Sequence, residues 1–262
     1  MKDYGLVSFI TPSYNSAFFI EETINSILSQ TYTNWELLIT DDCSLDNTEE
    51  IVNKYMKNDH RIKFFKLDKN SGAGVARNNS IENAQGRFLA FCDSDDCWYP
   101  KKLEIQLAFM VEHNYEFSYT SYDTCNEENK IIGYVKCKKK ISYYSLLKDN
   151  GIGCLTSIYD TARIGKVYMP TIRKRQDWGL WLSVIKKTSY AYGLQESLAK
   201  YRIRENSISA NKISMIKYNY KLYNKVEGFS KISSFFLLFC YFLPYYFYKK
   251  IKQKIEYTIK LK

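Results

Sequence analysis

The sequence predicts an α/β fold with a doubly wound, mostly parallel central sheet. Along the first hundred residues, short apolar runs rich in β-branched residues alternate with segments whose apolar residues recur at helical spacing. This alternation predicts parallel strands joined by right-handed helical crossovers. The length of 262 residues is enough for one large domain of this kind. Ligands of such sheets bind at the carboxyl ends of the strands, so the loops there are candidate functional sites.

The individual elements follow in chain order. Strands are predicted at four apolar runs, Leu6–Thr11, Trp35–Thr40, Ile62–Leu67 and Arg87–Cys92, with helices between them. A helix is predicted from Pro100 to about Glu112, and another begins at Gln176. Two closing strands are predicted, Tyr190–Gln195 and Leu198–Arg202.

Composition and charge exclude several classes of protein. Hydrophobic residues make up 45% of the chain, which argues against disorder, and 11 Gly with 4 Pro exclude a collagen-like chain. The net charge is +10, but the segment from Lys212 onward holds 11 lysines and only 2 glutamates. The body is therefore nearly neutral. This distribution argues against nucleic acid as a partner and directs attention to the C-terminal segment.

The cysteines and histidines indicate neither disulfides nor a metal-histidine site. Seven cysteines include no Cys-x-x-Cys pair, which predicts reduced thiols in the cytoplasm. His60 and His113 have no metal-ligand spacing and are predicted at solvent-facing helix ends. A Ser-His-Asp hydrolase or a histidine-ligated zinc enzyme is therefore not favoured. The N-terminal residues also lack the pattern of a signal peptide.

The C-terminal segment suggests contact with a membrane surface. The apolar run Phe235–Phe247 is interrupted by Pro244 and is shorter than the roughly 20 residues that a spanning helix needs. Lysines flank it at positions 231, 249, 250, 252 and 254. Aromatic residues backed by lysines suit an interfacial segment on anionic lipid, and its deletion is expected to release the protein from membranes while the body still folds. The alternative is that these aromatic side chains pack on the body.

Acidic clusters follow two of the predicted strands. Asp41 and Asp42 come after the second strand, and Asp93-Ser94-Asp95-Asp96 comes after the fourth. An Asp-x-Asp sequence is common in ordinary turns, but this one lies at the carboxyl end of a buried strand. Two carboxylates so placed can share Mg²⁺ or Mn²⁺, which completes its shell with substrate phosphates and water. A divalent-cation site is therefore predicted at Asp93 and Asp95.

Five sequence motifs occur in an order that resembles family 2 glycosyltransferases. The motifs lie at Val7–Asn15, Ser26–Tyr32, Asp41–Asp46, Ala76–Asn78 and Asp93–Pro100, and weaker similarity extends to Arg175–Trp178 and Tyr201–Ser209. The resemblance is dense over roughly the first 105 residues. It implies an inverting enzyme with the GT-A fold and a UDP-sugar donor. We expect a nucleotide-sugar-binding half at 1–105, an acceptor-binding half of the same domain at 106–210, and a membrane-associating tail at 211–262.

The resemblance also implies roles in donor binding. Asp42 is similar to the residue that hydrogen-bonds uracil, with Pro12 and Tyr14 shaping the base pocket. Arg77 resembles a basic residue near the nucleotide, although a solvent-facing helix arginine is the alternative. Asp93 resembles the aspartate on the ribose and metal side, and Asp95 resembles the direct metal ligand.

Further roles fall at the acceptor side. Asp177 matches the family's catalytic base, which would accept the proton of the attacking hydroxyl; the alternative is that it caps its helix. The neighbouring Arg173, Lys174 and Arg175 are expected to favour its ionised form. Asp96 is expected to hold the turn or face the acceptor sugar. Trp178 is the candidate for stacking on that sugar, and Trp181 is predicted in the core.

One position departs from the family. Many relatives carry a histidine after the Tyr-Arg pair, where this chain has Arg204. An arginine cannot ligate a metal but can bind a diphosphate through its planar fork. Arg204, together with Arg202, is therefore predicted to clamp the leaving group, with a weaker dependence on metal.

Together these observations predict an inverting, metal-assisted transfer of a hexose from a UDP-sugar. Galactose or glucose is favoured over an N-acetylhexosamine, and the acceptor is expected to be an undecaprenyl-diphosphate-linked saccharide of bacterial O-antigen or capsule synthesis. The expected location is the cytoplasmic face of the cell membrane, with peripheral attachment. The alternatives are a sugar nucleotidyltransferase, for which no glycine-rich triphosphate loop is present, and a non-catalytic nucleotide-sugar-binding protein.

Overall fold

The computed structural model describes residues 2–204 and 212–260, with side chains to residue 251 except those of 212–214. Its strands are β1 (Val7–Ser13), β2 (Trp35–Asp41), β3 (Ile62–Lys66), β4 (Phe88–Phe91), β5 (Cys97–Trp98), β6 (Phe117–Cys125), β7 (Ile131–Val135), β8 (Lys140–Ser142), β9 (Ile158–Asp160) and β10 (Tyr190–Arg202). Its helices are α1 (Ile20–Leu28), α2 (Thr48–Met56), α3 (Ala73–Asn83), α4 (Lys102–Glu112), α5 (Tyr143–Lys148), α6 (Thr161–Ile164), α7 (Gln176–Thr188), α8 (Lys212–Lys221), α9 (Lys231–Phe236) and α10 (Leu243–Lys260). Helices and strands alternate through the first half, so the predicted α/β class is confirmed.

The first four strands form the parallel part of the sheet. Strand β1 pairs in parallel with β2 on one side and β4 on the other, and β2 pairs in parallel with β3. All residues of β1 and β2 are buried because helices cover both faces of the sheet. The carboxyl ends of β1, β2 and β4 therefore meet at one edge, as the sequence predicts.

Beyond β4 the same sheet becomes mixed. Strand β9 runs antiparallel between β4 and β6, while β10 is parallel to β6 and antiparallel to β5 and β8. The two predicted closing strands are one strand, β10, whose register shifts on either side of Ser197. Such bulges break the alternation of apolar and polar residues, which explains why the pattern resembles two strands. Position 105, the predicted limit of the nucleotide-binding half, lies within α4.

Two apolar cores lie on opposite faces of the sheet. One contains Phe9, Leu37 and Leu103, and the other contains Phe91 and Trp181. All seven cysteines are free, as predicted. The two histidines are exposed, and His113 lies at the C-terminal end of α4.

The C-terminal segment wraps against the body through part of its apolar surface. Two π-helical segments, Leu222–Val226 and Leu237–Phe242, interrupt its helices. Tyr223 is buried and its hydroxyl donates to the carbonyl of Leu147 at 2.6 Å. Leu238 and Phe242 join the same core. A truncation at Phe235 would remove Leu238 and Phe242 from this core, which is expected to lower the stability of the body, and folding of the body without them stays a prediction.

The opposite side of the segment is exposed. Phe235 and Phe236 are 58% and 62% exposed, and Phe247, Tyr248 and Ile251 are exposed to a similar degree. The apolar residues are thus divided between packing on the body and an exposed surface. Among the described residues, no helix is both long enough and apolar enough to cross a membrane.

Candidate active site

Asp42 lies where the ends of β1 and β2 meet the loop that precedes α3. Its backbone N–H donates to the carbonyl of Ser13 at 2.8 Å. Its carboxylate accepts hydrogen bonds from the backbone N–H groups of Ser71 at 2.6 Å and Gly72 at 2.7 Å. Gly72 has φ +96°, a backbone conformation that favours glycine. The aspartate therefore fixes the loop beside the predicted base pocket.

The other residues of the predicted base pocket lie on the same edge. Pro12 is buried within β1, while Tyr14, two residues further on, is 46% exposed beyond the strand end. Asp41, in contrast, is fully buried and accepts hydrogen bonds from the backbone and the hydroxyl of Ser44. Of these two aspartates, Asp42 is the one whose carboxylate holds the β3–α3 loop. The uracil contacts of Pro12, Tyr14 and Asp42 stay a prediction.

The acidic turn after β4 presents two of its three carboxylates to solvent. The side chains of Asp93 and Asp95 are 28% and 25% exposed. Between them, the Ser94 hydroxyl lies 2.8 Å from that of Ser16, which ties the turn to the β1–α1 loop. Two hard carboxylate oxygens on one turn fit Mg²⁺ or Mn²⁺, with further ligands from substrate and water. Within residues 2–204 and 212–251, no group of three or more His, Cys, Asp and Glu side chains is arranged to hold a metal.

Asp96 is the buried member of the turn. It is 1% exposed, and its Oδ1 accepts a hydrogen bond from the backbone N–H of Arg202 at 2.9 Å. Burial raises the pKa of Asp96 well above its usual range, and the charges of Asp95 and Asp93 add to the effect. Asp96 therefore links the turn to β10. The prediction that it contacts the acceptor is wrong, because the side chain is enclosed by the fold.

Arg77 lies behind the acidic turn rather than on the surface. It is only 7% exposed, so the solvent-facing alternative is wrong, and its Nη2 lies 2.5 Å from Oδ1 of Asp93. Burial opposes the charged guanidinium, but the attraction of Asp93 outweighs this and raises the pKa of Arg77 above its ordinary value. Its Nε is buried without a hydrogen-bond partner. Arg77 is thus a fixed positive charge at the site.

Arg204 and Arg202 occupy different environments although they are two residues apart. Nη1 of Arg204 lies 3.1 Å from Oδ2 of Asp95, and this arginine side chain is 35% exposed. Burial and the charge of Asp93 raise the pKa of Asp95, and Arg204 opposes that rise. The Arg204 guanidinium also lies over the ring of Phe19, 5.0 Å from its centroid. Arg204 is therefore placed at the predicted metal and diphosphate position.

Arg202 is enclosed by the protein itself. It is 3% exposed, and its Nε donates to the carbonyl of Asp95 at 2.9 Å. Its other nitrogens donate to the carbonyl of Glu127 at 2.8 Å and to the carboxylate of Glu22. All three guanidinium nitrogens are thus engaged by the protein, so the predicted nucleotide contact of Arg202 is wrong. The residue instead holds the acidic turn against α1.

Asp177 is brought to the same edge by contacts between α3 and α7. Gln176 packs so closely on Gly74 that a Cβ there would lie 3.0 Å from Cγ of Gln176. Asn78 and Met169 exchange hydrogen bonds of 2.9 and 2.7 Å just ahead of α7. Gly74 and Asn78 lie on the same helix as Arg77, which pairs with Asp93, so these contacts bring the start of α7 and Asp177 to the helix beside the acidic turn.

The surroundings of Asp177 distinguish it from a capping residue. Arg175, with φ +67°, is the N-cap residue of α7, so Asp177 lies in the first turn. Its Oδ2 accepts a hydrogen bond from Nδ2 of Asn150 at 2.9 Å. The capping alternative is therefore not favoured, and the side chain is oriented by a residue from another part of the chain.

Trp178 is a core residue. It is fully buried, its Nε1 donates to the carbonyl of Leu146 at 2.8 Å, and its ring packs near Tyr223 and Phe242. The prediction that it stacks on an acceptor sugar is wrong, because the C-terminal segment covers its ring. Trp181 is also fully buried, as predicted.

Several residues at the site were missed by the sequence analysis. Asn150 orients Asp177, Ser16 supports the acidic turn, and Asn78 connects α3 to the chain ahead of α7. Asn78 and Ser16 stand in or beside recognised motifs, so the family resemblance offered a signal for them. Asn150 lies in the irregular region between β8 and β9, where no motif or periodicity marks it.

The architecture, with its acidic loops at the carboxyl ends of parallel strands, suits a transferase of the nucleotide-binding α/β class. The model of the family described as "Glycosyl transferase family 2" matches residues 8–169, which is more than half of the chain. The chain belongs to this family and is a glycosyltransferase with the GT-A fold.

Two curated relatives match most of the chain. The putative teichuronic acid biosynthesis glycosyltransferase TuaG of Bacillus subtilis is 46% identical, covering 85% of this chain and 88% of the relative. The Escherichia coli protein WfgD is described as a UDP-Glc:alpha-D-GlcNAc-diphosphoundecaprenol beta-1,3-glucosyltransferase. It is 43% identical over 83% of this chain and 84% of its own length.

Solved structures show the same fold. Staphylococcus aureus TarS 1–349, crystallised with UDP-GlcNAc, superposes with a TM-score of 0.67 at 23% identity, covering 88% of this chain and 70% of that one. A longer TarS chain is covered over 42% of its length. The mannosyltransferase PcManGT of Pyrobaculum calidifontis, in complex with GDP-Man and Mn²⁺, superposes with a TM-score of 0.62 at 16% identity, covering 87% of this chain and 65% of that one.

Proposed function

We propose that this glycosyltransferase transfers a hexose, with inversion, from a UDP-sugar to an undecaprenyl-diphosphate-linked saccharide in bacterial surface polysaccharide synthesis. The observation that carries the proposal is the packing of α3 on the start of α7, which brings Asp177 to the helix whose Arg77 pairs with Asp93 at 2.5 Å. An inverting transfer needs a site for the leaving group and a proton acceptor on the opposite side of the anomeric carbon, close enough for one donor sugar to lie between them. In this proposal, Asp93 and Asp95 belong to the leaving-group site and Asp177 is the proton acceptor.

The donor half of the proposal rests on the β1, β2 and β4 loops. Asp42, Pro12 and Tyr14 would receive the uracil, and Asp93 would face the ribose. Asp93 and Asp95 would hold Mg²⁺ or Mn²⁺, which when bound offsets negative charge on the diphosphate. Arg77 and Arg204 pair with these two carboxylates, and Arg204, the more exposed of the two arginines, would bind the diphosphate of the departing UDP.

The chemical step places Asp177 opposite the departing UDP. The acceptor hydroxyl oxygen forms a bond to the anomeric carbon, while the bond from that carbon to the diphosphate oxygen breaks. The hydroxyl proton passes to the Asp177 carboxylate, and the electron pair leaves with UDP. Asn150 positions the carboxylate for this transfer through its 2.9 Å hydrogen bond.

The acceptor half rests on the relatives and on the C-terminal segment. WfgD and WfaP of Escherichia coli are both described as acting on GlcNAc-diphosphoundecaprenol with UDP-Glc. Glucose is therefore the first donor to test, with galactose next. The exposed aromatic side of the C-terminal segment and its lysines suit an anionic bilayer surface, where such an acceptor resides. We place the enzyme at the cytoplasmic face of the membrane.

The experiment combines a donor panel with a base variant. Full-length protein is incubated with UDP-glucose, UDP-galactose or UDP-GlcNAc, Mn²⁺ and a synthetic lipid-diphosphate GlcNAc, and UDP release and the anomeric configuration of the product are measured. Transfer of glucose or galactose to a β-linked product is expected. In Asp177→Asn, kcat is expected to fall about 10²- to 10⁴-fold with little change in donor KM.

A surface carboxylate serves as the matched control for the base. Glu112, at the exposed end of α4, is replaced by Gln and should retain wild-type kinetics. Retention of the donor's anomeric configuration, or wild-type turnover in Asp177→Asn, would overturn the proposed mechanism. Transfer exclusively from UDP-GlcNAc would overturn the hexose assignment.

A further inference from the structure

A cavity of about 280 Å³ lies between the start of α7 and the first turns of α10. Its polar lining comes from Asp149, Asn150, Arg175, Lys249 and Lys250, and its apolar walls include Phe242 and Tyr246. Pockets for whole drug-sized ligands measure roughly 300–1,000 Å³. This cavity therefore suits a fragment of a substrate rather than a complete sugar nucleotide.

The cavity adjoins the proposed catalytic base. Asn150 lines the cavity and also donates the 2.9 Å hydrogen bond to Asp177. The Oδ1 atom of Asn150 is buried without a hydrogen-bond partner. Arg175 lies two residues before Asp177 at the N-cap of the same helix. A group bound in the cavity would thus hold an attached sugar close to Asp177.

The charge of the cavity is positive. Three cationic side chains line it against one carboxylate, Asp149, which pairs with Lys249 at 2.7 Å. Nε of Arg175 donates to Oδ1 of Asn219 at 2.8 Å, and in residues 2–204 and 215–251 Arg175 makes no ion pair. Burial lowers the pKa of Arg175, and the charges of Asp177 and Asp149 oppose this effect without forming an ion pair to it, so a bound anion would replace hydration that the guanidinium has lost.

The far side of the cavity is continuous with the exposed surface of α10. Tyr246 and Lys250 line the cavity, while their neighbours Phe247 and Tyr248 are 60% and 61% exposed. An anion bound beside Lys250 would therefore lie between Asp177 and the face that we assign to the bilayer. A lipid attached to that anion could leave directly toward the membrane.

We propose that this cavity binds the diphosphate of a lipid-linked acceptor, so that α10 presents the acceptor sugar to Asp177. The inference rests on the proposed function and adds the location of the acceptor's charged group. Arg175 contributes a planar fork and the two lysines contribute ammonium donors, which together match an anion with two phosphoryl groups.

The first test measures binding without turnover. Full-length protein is titrated calorimetrically with farnesyl diphosphate in neutral detergent, with farnesol and inorganic diphosphate as comparison probes. Farnesyl diphosphate is expected to bind, and the double variant Lys249→Gln/Lys250→Gln is expected to weaken that binding about tenfold or more. The control, Lys221→Gln/Lys225→Gln, removes two charges from the same segment outside the cavity and should bind as wild type does.

The outcome identifies the source of the anion. Equal loss of binding in the two double variants would show a general charge effect and would overturn the proposal. The proposal also fails if the cavity variant binds farnesyl diphosphate normally but loses binding to phosphatidylglycerol vesicles, because the lysines would then serve lipid headgroups. Inorganic diphosphate binding as tightly as farnesyl diphosphate would also contradict a lipid-linked ligand.

A kinetic test separates this inference from the proposed function. GlcNAc on a lipid diphosphate is compared with GlcNAc on a neutral alkyl chain as acceptor. In the cavity variant, the KM for the lipid-diphosphate acceptor is expected to rise about tenfold. The KM for the neutral alkyl acceptor and the KM for the donor are expected to stay unchanged. Failure of the wild type to transfer sugar would contradict the proposed function alone, since the binding experiment decides on the cavity independently.

Discussion

Nη1 of Arg204 lies 3.1 Å from Oδ2 of Asp95, so an arginine contacts a carboxylate proposed to bind the metal. Arg77 contacts the other one, Asp93, at 2.5 Å. Each carboxylate of the pair is thus already paired with a cation. Metal binding would have to compete with these ion pairs, and Arg204, whose side chain is 35% exposed, is the arginine that we propose to bind the diphosphate. This arrangement accounts physically for the predicted weaker dependence on metal.

Replacing Arg204 with Ala is expected to raise the KM for the UDP-sugar about tenfold, because one charge-assisted contact with the diphosphate is lost. The Mn²⁺ concentration for half-maximal activity is expected to fall, because Asp95 no longer has a competing cation. Steady-state kinetics over a Mn²⁺ series measure both. Arg163→Ala, which breaks a surface ion pair with Glu116, is the control. Unchanged donor KM, turnover and Mn²⁺ response in Arg204→Ala would remove both roles.

Replacing Trp178 with Ala is expected to lower the free energy of unfolding by about 3–5 kcal/mol, the usual cost of removing a large aromatic side chain from a core. Trp178→Phe should cost less, since it keeps most of the packing but loses the hydrogen bond to Leu146. Denaturant unfolding measures the change, with the exposed Tyr144→Ser as control. A wild-type unfolding curve for Trp178→Ala, together with a raised acceptor KM, would restore the sugar-stacking role.

The exposed side of the C-terminal segment is testable without truncation. Replacing Phe235, Phe236 and Phe247 by Ser is expected to reduce binding to phosphatidylglycerol vesicles at least a hundredfold, because each inserted ring contributes about 1.5–3 kcal/mol. Unfolding should be unaffected, since these rings are exposed. The matched control replaces three exposed apolar residues of β7, Ile131, Ile132 and Tyr134, by Ser. Similar vesicle binding by both triple variants would reject the interfacial role.

Lys102 predicts a pH dependence of stability. It is fully buried, 4.2 Å from the Trp98 ring centroid, and its Nζ donates to the carbonyl of Thr156 at 3.2 Å. Burial lowers the pKa of Lys102 from 10.5 to about 7. Between these values the unfolded chain binds more protons than the folded one, so this residue's contribution to stability rises with pH.

Replacing Lys102 with Met removes this titration. The variant is expected to be more stable than the wild type near pH 6, by up to about 5 kcal/mol at about 1.4 kcal/mol for each pKa unit. The advantage should disappear toward pH 10, where Lys102 is neutral in the folded state and begins to lose its proton in the unfolded chain. Urea unfolding of both proteins from pH 6 to 10 gives the difference. A difference that does not vary with pH would show that Lys102 does not titrate in this window.

One of the sequence motifs acts through the scaffold rather than through the substrate. Gln30, in the motif Ser26–Tyr32, accepts a hydrogen bond from the backbone of Leu103 at 3.1 Å and donates to the carbonyl of Tyr99 at 3.0 Å. The motif thus joins α1 to the chain that follows the acidic turn. The resemblance to the family identified this motif but did not predict its structural role. A hydrogen bond between residues 73 positions apart has no signal in the local sequence.

The sequence by itself determined the strand–helix order, the parallel half of the sheet, the family and the positions of Asp42, Asp93, Asp95 and Asp177, because local periodicity and motif order encode these features. Only the tertiary structure decided which neighbouring polar residues reach the site. Arg202 and Arg204 look equivalent in the chain, yet one is enclosed by carbonyls and Glu22 and the other contacts Asp95. Trp178 likewise became a core residue because the C-terminal segment folds over it. Burial depends on packing between distant segments, and no local pattern carries that information.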